Sequence, residues 1–249
     1  MSNPYTFGAQ PGVTAEVYPA VKSILFDGVD EYMNANDAAS SISFNDTAHT
    51  VSCWVKVPDT AGITYSVLWS FTRTTDAHTR YWLALNSSGA LIVFGWGDGS
   101  AFPVTAGGAT CSSAIDDDAW HHVAMTYNGS DTLTCHVDGG SGTTVAVGAG
   151  ALTPNVMSIG ARRVSGSATT YPLAGSIADV SVFPRVIDSS ELARLATAPV
   201  LDYGAMAPVF WSWMGDKDAL TDIRDHGSNG GTVTLTNGVA GDLRDGAPS

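Results

Sequence analysis

Basic residues are scarce in this chain. Eleven Lys and Arg stand against 24 Asp and Glu in 249 residues, for a net charge of −13. Nucleic-acid binding rests on a clustered basic patch, and eleven scattered cations supply none. Glutamate (Glu16, Glu31, Glu191) and lysine (Lys22, Lys56, Lys217) are scarcer still, so the helix-favouring mixture of a bundle is missing. No run of eighteen apolar residues occurs, which excludes a membrane-spanning helix. The first twenty residues show neither a basic start nor an apolar stretch, and no secretory signal is expected. Cysteine is also rare: Cys53, Cys111 and Cys135 are an odd number. Cys53 and Cys135 lie inside apolar alternations, where a thiol serves as a small core residue. All three are expected to be reduced, in a protein made in a cytoplasm.

What is present points elsewhere. Hydrophobic residues make up 44%, with seven Trp and 27 Gly. That is too apolar for a disordered acidic tail. The length suits one large sandwich. Val51, Cys53, Val55 and Val57 alternate with other residues, as do His121, Val123, Met125 and Tyr127, and Leu133, Cys135 and Val137. This period of two predicts half-buried antiparallel strands. Between them stand Asp27-Gly28, Ser88-Gly89, Asp98-Gly99, Asn128-Gly129, Asp138-Gly139 and Asn237-Gly238, pairs suited to the positive φ of hairpin turns. One short helix is predicted near 188–197. Asp188 is its N-cap, Glu191 completes a capping box, Leu192 and Leu195 are its apolar face, and Pro199 follows it. The predicted class is all-β, a two-sheet antiparallel sandwich.

Four segments together resemble the laminin-G-like jelly-roll domains of the concanavalin A-like lectin/glucanase superfamily. They are Ser23-Ile-Leu-Phe-Asp-Gly-Val-Asp-Glu-Tyr-Met33, Thr50-Val-Ser-Cys-Trp-Val-Lys-Val57, Ala119-Trp-His-His-Val-Ala-Met-Thr-Tyr127 with Cys135-His-Val-Asp-Gly139, and Leu173-Ala-Gly-Ser-Ile-Ala-Asp-Val-Ser-Val-Phe183 with Ser190-Glu191-Leu192. They occur in the family's order over residues 21–197. The resemblance implies a jelly roll in which Trp120 and His121 anchor a strand start. It also implies that Asp138 and Gly139 turn a hairpin, and that Gly175 and Asp179 shape the closing strand.

Three parts are expected: an extended aromatic arm over 1–20, the sandwich over 21–199, and a C-terminal segment over 200–249 with a frayed end. In many such domains a Trp-containing strand precedes the Phe-Asp-Gly strand. Here a similar stretch comes last, as Val209–Asp216, Asp225–Gly230 and Thr232–Asn237. It reads as a permuted order, with residues 207–237 adding strands to the same sandwich or to a neighbouring subunit.

The superfamily's glucanases carry Glu-x-Asp-x-Glu or close to it on one strand, which puts paired carboxyl groups on one face. The three glutamates here are far apart in sequence, and no Gly-x-Ser-x-Gly elbow precedes a helix. Asp116-Asp-Asp118 reads as a solvated loop. Cys111 reads as an exposed thiol without a His partner. The protein is expected not to be an enzyme. His121 and His122 are adjacent on a strand, point to opposite faces and do not share one ion. No cofactor is certain; a structural calcium has Asp27, Asp179 and the 116–118 cluster as candidate ligands. For a sugar, an exposed ring beside an amide or carboxylate is needed. Trp96 and Asp98 at a loop tip, with Tyr81, Trp82 and Asn86 on the preceding strand, are the candidates. The alternative is that Trp69, Trp82 and Trp96 fill the core.

Stand-alone laminin-G-like proteins of this kind resemble virion proteins of tailed bacteriophages. The leading expectation is therefore a structural protein on the virion surface, assembled in the host cytoplasm. A capsid decoration protein is favoured. Its partners would be its own copies, the major capsid protein or other virion proteins, and host glycans, with neither nucleic acid nor membrane insertion. A free carbohydrate-binding module, a tail or fibre adhesin, and less readily a glycan hydrolase are the alternatives.

Overall fold

The computed structural model describes residues 22–35, 47–60, 62–72, 79–95, 109–146, 156–163, 169–197, 206–212, 223, 225–228, 233–238 and 243–245. The predicted arm at 1–20, and Trp96 and Asp98, lie outside these residues. In chain order the strands begin with β1 (Lys22–Asp27), β2 (Tyr32–Asn34), β3 (His49–Lys56), β4 (Tyr65–Thr72), β5 (Thr79–Asn86) and β6 (Ala90–Gly95). They continue with β7 (Ala109–Ala114), β8 (Trp120–Tyr127), β9 (Thr132–Val137), β10 (Thr143–Ala146), β11 (Val156–Ile159) and β12 (Arg162–Arg163). The last are β13 (Thr169–Thr170), β14 (Ala174–Phe183), β15 (Phe210–Ser212), β16 (Thr234–Thr236) and β17 (Leu243–Asp245), with α1 (Ser189–Leu195) after β14.

Two antiparallel sheets face each other. The first runs β10-β9-β8-β3-β14-β1-β17, with β15 also on β14; the second runs β16-β2-β11-β4-β5-β6-β7. This is the predicted two-sheet, all-β sandwich. Its core is made by the residues that alternate: Val51, Cys53, Val55, Val123, Met125 and Tyr127 from the first sheet meet Trp69, Phe71, Leu83, Leu91 and Val93 from the second. Burial of such apolar faces is the main drive for the fold, at about 25 cal/mol per Å².

The segment near the chain's end joins the same sandwich. β15 pairs with Val180–Val182 of β14, β16 with all of β2, and β17 with Lys22–Ile24 of β1. The expectation of a frayed end fails at Leu243–Asp245, which the exposed edge of β1 captures as a strand. β1 and β15 lie end to end along one side of β14, since β1 pairs with residues 174–177 and β15 with 180–182. Asp179 falls at the join. Its φ of +50° belongs to a bulge, where the β14–β3 register shifts between Ala178 and Ser181.

Local chemistry explains the turns. Asp118, Asp138 and Asn237 take positive φ, as short polar side chains do most readily. Asp138 (φ +50°) and Gly139 (φ +69°) together form the tight turn after β9, in the β9–β10 hairpin, closed by Gly140 N to Val137 O at 2.9 Å. A Cβ at Gly139 would come within 3.1 Å of Ala193 and Ala196, so glycine also lets α1 dock there. The helix carries the predicted capping box: Asp188 Oδ1 accepts from Ser190 N (2.8 Å) and Glu191 N (2.9 Å), and Glu191 Oε2 accepts from Asp188 N (2.9 Å). Leu192 and Leu195 are its buried face.

Candidate functional site

The adjacent residues Tyr81 and Trp82 diverge, because successive strand side chains point to opposite faces. Tyr81 turns inward. Its hydroxyl meets His49 Nε2 at 2.5 Å, and His49 lies between the rings of Tyr81 (5.6 Å) and Tyr127 (5.3 Å). This chain of rings ties the second sheet to the first. Burial holds the His49 imidazole down to about 4, hence neutral. Tyr81 is thus a core residue, which corrects its reading as a sugar-facing ring.

Trp82 turns outward, yet only 3% of it is exposed. Phe94 stacks on it at 4.1 Å, Tyr171 lies parallel at 5.6 Å, and Tyr65 meets it edge-on at 5.4 Å. The Arg162 guanidinium stands 5.4 Å from its ring centre. Trp82 is therefore the centre of an aromatic cluster with Val67, Ala84, Ile92 and Phe94, and a sugar cannot stack on a ring already covered. Trp69, fully buried, fills the inner core.

Asn86 shares the outer face with Trp82, four residues away on the same strand. Its Oδ1 accepts from Ser88 N (3.0 Å), Ser88 Oγ (2.9 Å) and Ala90 N (3.1 Å), which folds the β5–β6 turn. Across the ladder it is paired directly with Tyr65. The two residues line a cleft of about 420 Å³ together with Gly62, Ile63, Thr64 and Ser87. It is a shallow depression, largely open to solvent. Tyr65 is half-buried, its ring fixed by edge contacts to Trp82, Phe94 (5.0 Å) and Tyr171 (5.2 Å). The cleft thus offers one rigid ring, one amide and two hydroxyls, and no acid or base among its lining residues. It can hold a polar ligand with apolar patches.

Of the sequence candidates, Asn86 borders this cleft; Tyr65 and Thr64, which also border it, were not among them. The signal was available only through register, since Tyr65 and Asn86 are distant in sequence and opposite in the sheet.

The other candidates serve the scaffold. Asp116 Oδ2 accepts from Thr60 Oγ1 (2.6 Å) and Thr60 N (3.1 Å), and Asp118 pairs with Lys56 at 3.4 Å. His121 bridges Asp138 (2.8 Å) and Asp117 (3.1 Å). Burial opposes its charge, but the bonds to Asp138 and then Asp117 prevail and raise its pKa. His122 points the other way, against Trp54 at 5.5 Å, with both ring nitrogens unpartnered; burial holds it down to about 3. Asp27 Oδ1 accepts from Val29 N at 2.8 Å, and Asp179 Oδ1 from Trp211 Nε1 at 2.8 Å. Asp27 pairs with Ala174, so Asp179 lies five residues further along β14, about 16 Å at the strand's rise. The structure does not bring these two candidate calcium ligands together. Among the described residues no group of three or more His, Cys, Asp or Glu is placed to hold a metal. Glu31 holds Asp27 N (2.7 Å), and Glu191 is engaged with Arg185 and the helix cap. Cys111, read as exposed, is buried at 5%, because its position on β7 turns the thiol into the core.

No curated protein matches the chain. Among solved structures, a heptameric SAP-like pentraxin from Limulus polyphemus aligns at 13% identity and a TM-score of 0.55, over 89% of this chain and 96% of that one. A candidate carbohydrate-binding protein from Bacteroides ovatus aligns at 15% and 0.59, over 88% of this chain and 60% of that one. The CBM40 of a Ruminococcus gnavus IT-sialidase aligns at 17% and 0.53, over 71% of this chain and 99% of that one. At such identities the likeness is one of fold. The greater part of the chain, residues 27–193, matches the laminin-G-type family described as the concanavalin A-like lectin/glucanases superfamily, and the chain belongs to that family.

Proposed function

We propose that this protein is a non-enzymatic recognition module that binds glycans at the Tyr65–Asn86 cleft. The observation that carries the reading is the cross-strand pairing of a rigid, half-buried tyrosine with an asparagine at the wall of a 420 Å³ cleft. Sugars present apolar ring faces and a rim of hydroxyls, and a fixed aromatic beside amide and hydroxyl groups answers both. The cleft's lining lacks a carboxyl pair, which favours binding over hydrolysis. The two solved relatives concerned with carbohydrate share the fold and lend support.

The setting in this reading is the surface of a virus particle, with the protein as a capsid decoration protein that contacts its own copies and the shell. The resemblance to laminin-G-like virion proteins of tailed bacteriophages noted above supports it. The net charge of −13 suits an outward-facing, soluble surface.

A glycan array tests the first part. The wild type is expected to bind a defined set of glycans and leave them intact, and Tyr65→Ala to bind none of them. Binding that ignores Tyr65→Ala, or cleavage of the printed glycans, would overturn it. Electron microscopy of native particles with labelled antibody tests the second; label confined to unassembled protein would contradict it.

A further inference from the structure

We infer that Cys111 and Cys135 form a latent cross-sheet disulfide site, one that closes when the protein meets a small-molecule disulfide. Cys111 lies on β7, the last strand of the second sheet, and Cys135 on β9, the second strand from the edge of the first. Packed sheets are normally about 10 Å apart, too far for two cysteines to join. Here the sandwich narrows: the β7 and β9 backbones approach within 8 Å, and both thiols are buried in the inter-sheet core. The two side chains are in hydrogen-bond contact, sulfur to sulfur. Neither is in a disulfide, nor is Cys53.

Access comes from β7. Ala90 pairs with Ala114 while Ile92 pairs with Thr110, so the ladder is interrupted beside Cys111. Leu91 N bonds to the Ser112 hydroxyl (3.0 Å) instead of a backbone carbonyl. An edge strand with a broken ladder opens locally at lower cost than a central one. Cys53 lies on β3, in the middle of the first sheet, and lacks that route.

The chemistry needs only thiol–disulfide exchange. The Cys111 thiolate attacks one sulfur of oxidised glutathione, forming a mixed disulfide and releasing one glutathione thiolate. The Cys135 thiolate then attacks the Cys111 sulfur, forming the Cys111–Cys135 bond and releasing the second. The two cysteine protons end on two glutathione thiols; the protein pair is oxidised, and one glutathione disulfide is reduced. The new bond would join the sheets at their open edge and close a loop over residues 112–134. A loop of that size is expected to raise the melting midpoint by roughly 10 °C.

The test is to incubate the folded, reduced chain with oxidised glutathione, unfold it, and label remaining thiols with iodoacetamide. One label, on Cys53, is expected where the reduced protein takes three, with peptide mapping showing a 111–135 cross-link and a raised melting midpoint. Cys53→Ser is expected to leave the cross-link intact. Cys135→Ser is expected to stop at a glutathione adduct on Cys111. Three labels after oxidation, a cross-link involving Cys53, or an adduct on wild-type Cys111 that never closes would each overturn the proposal. None of these outcomes depends on whether the protein binds glycans.

Discussion

On the outer side of the first sheet, α1 packs Leu192 and Leu195 with Phe183, Ile187, Met206 and Trp211. On the outer side of the second, Trp82 is enclosed by Phe94, Tyr171 and Tyr65. Each face buries a tryptophan, but the two are held differently. Trp211 is hydrogen-bonded twice to carboxylates, through Nε1 to Asp179 (2.8 Å) and through its backbone N to Asp225 (2.9 Å). Trp82 is held by ring contacts, and its Nε1 is unpartnered. Charge-assisted bonds are about twice as strong as neutral ones and demand fixed geometry. The first face is therefore scaffold. The second is a close-packed aromatic platform whose rim, at Tyr65, opens on the cleft. The first face has one exception: Trp54 against His122, where three ring nitrogens are unpartnered.

That exception predicts the largest effect. Folded His122 is neutral down to about pH 3, whereas an unfolded histidine binds a proton near 6.5. Stability from this source is complete above about pH 6.5 and is lost as pH falls toward 3, costing about 3 kcal/mol by pH 4. Denaturation of His122→Phe across that range should show a flatter pH dependence than the wild type; an unchanged slope would mean the imidazole is charged or hydrated. His121, whose pKa is raised, acts in the opposite sense: its contribution is present below 6.5 and fades as pH rises through its folded pKa.

The next effect contrasts the two tryptophans directly. Trp211→Phe keeps a ring but removes the donor to Asp179, and is expected to cost about 2–3 kcal/mol beyond the lost volume. Trp82→Phe removes a donor that has no partner and should cost about 1 kcal/mol. Equal losses in urea denaturation would erase the distinction between the faces. A smaller effect concerns metal. Asp27 and Asp179 are engaged separately, so EDTA is expected to leave the melting midpoint unchanged, and a clear fall would restore calcium to the account.

Much of the scaffold was legible because it is local. Period-two alternation marked β3, β8 and β9, and Asp188 with Glu191 marked the helix start. The aspartate-rich turns followed from short polar side chains that tolerate positive φ. Register is non-local, and there legibility ended. Tyr81 and Trp82 were correctly placed on a strand, but which one faced the core depended on its partners. Asp179 matched a family position, yet its engagement with Trp211 required a strand from the far end of the chain. Cys111 looked exposed because the interrupted ladder of β7 leaves no clean alternation. Asn86 is visible in the sequence as a turn residue, whereas Tyr65 becomes its neighbour only across the ladder.

The central claim is that the aromatic face ends in a glycan-binding cleft that the scaffold face merely supports. Calorimetric titration of a glycan chosen from the array tests it most directly, with wild type, Tyr65→Ala and Trp211→Phe compared at equal folded fraction. The account predicts that Tyr65→Ala weakens binding at least tenfold, about 1.4 kcal/mol, while Trp211→Phe binds as the wild type does. Wild-type affinity in Tyr65→Ala, or weakened binding only in Trp211→Phe, would contradict it.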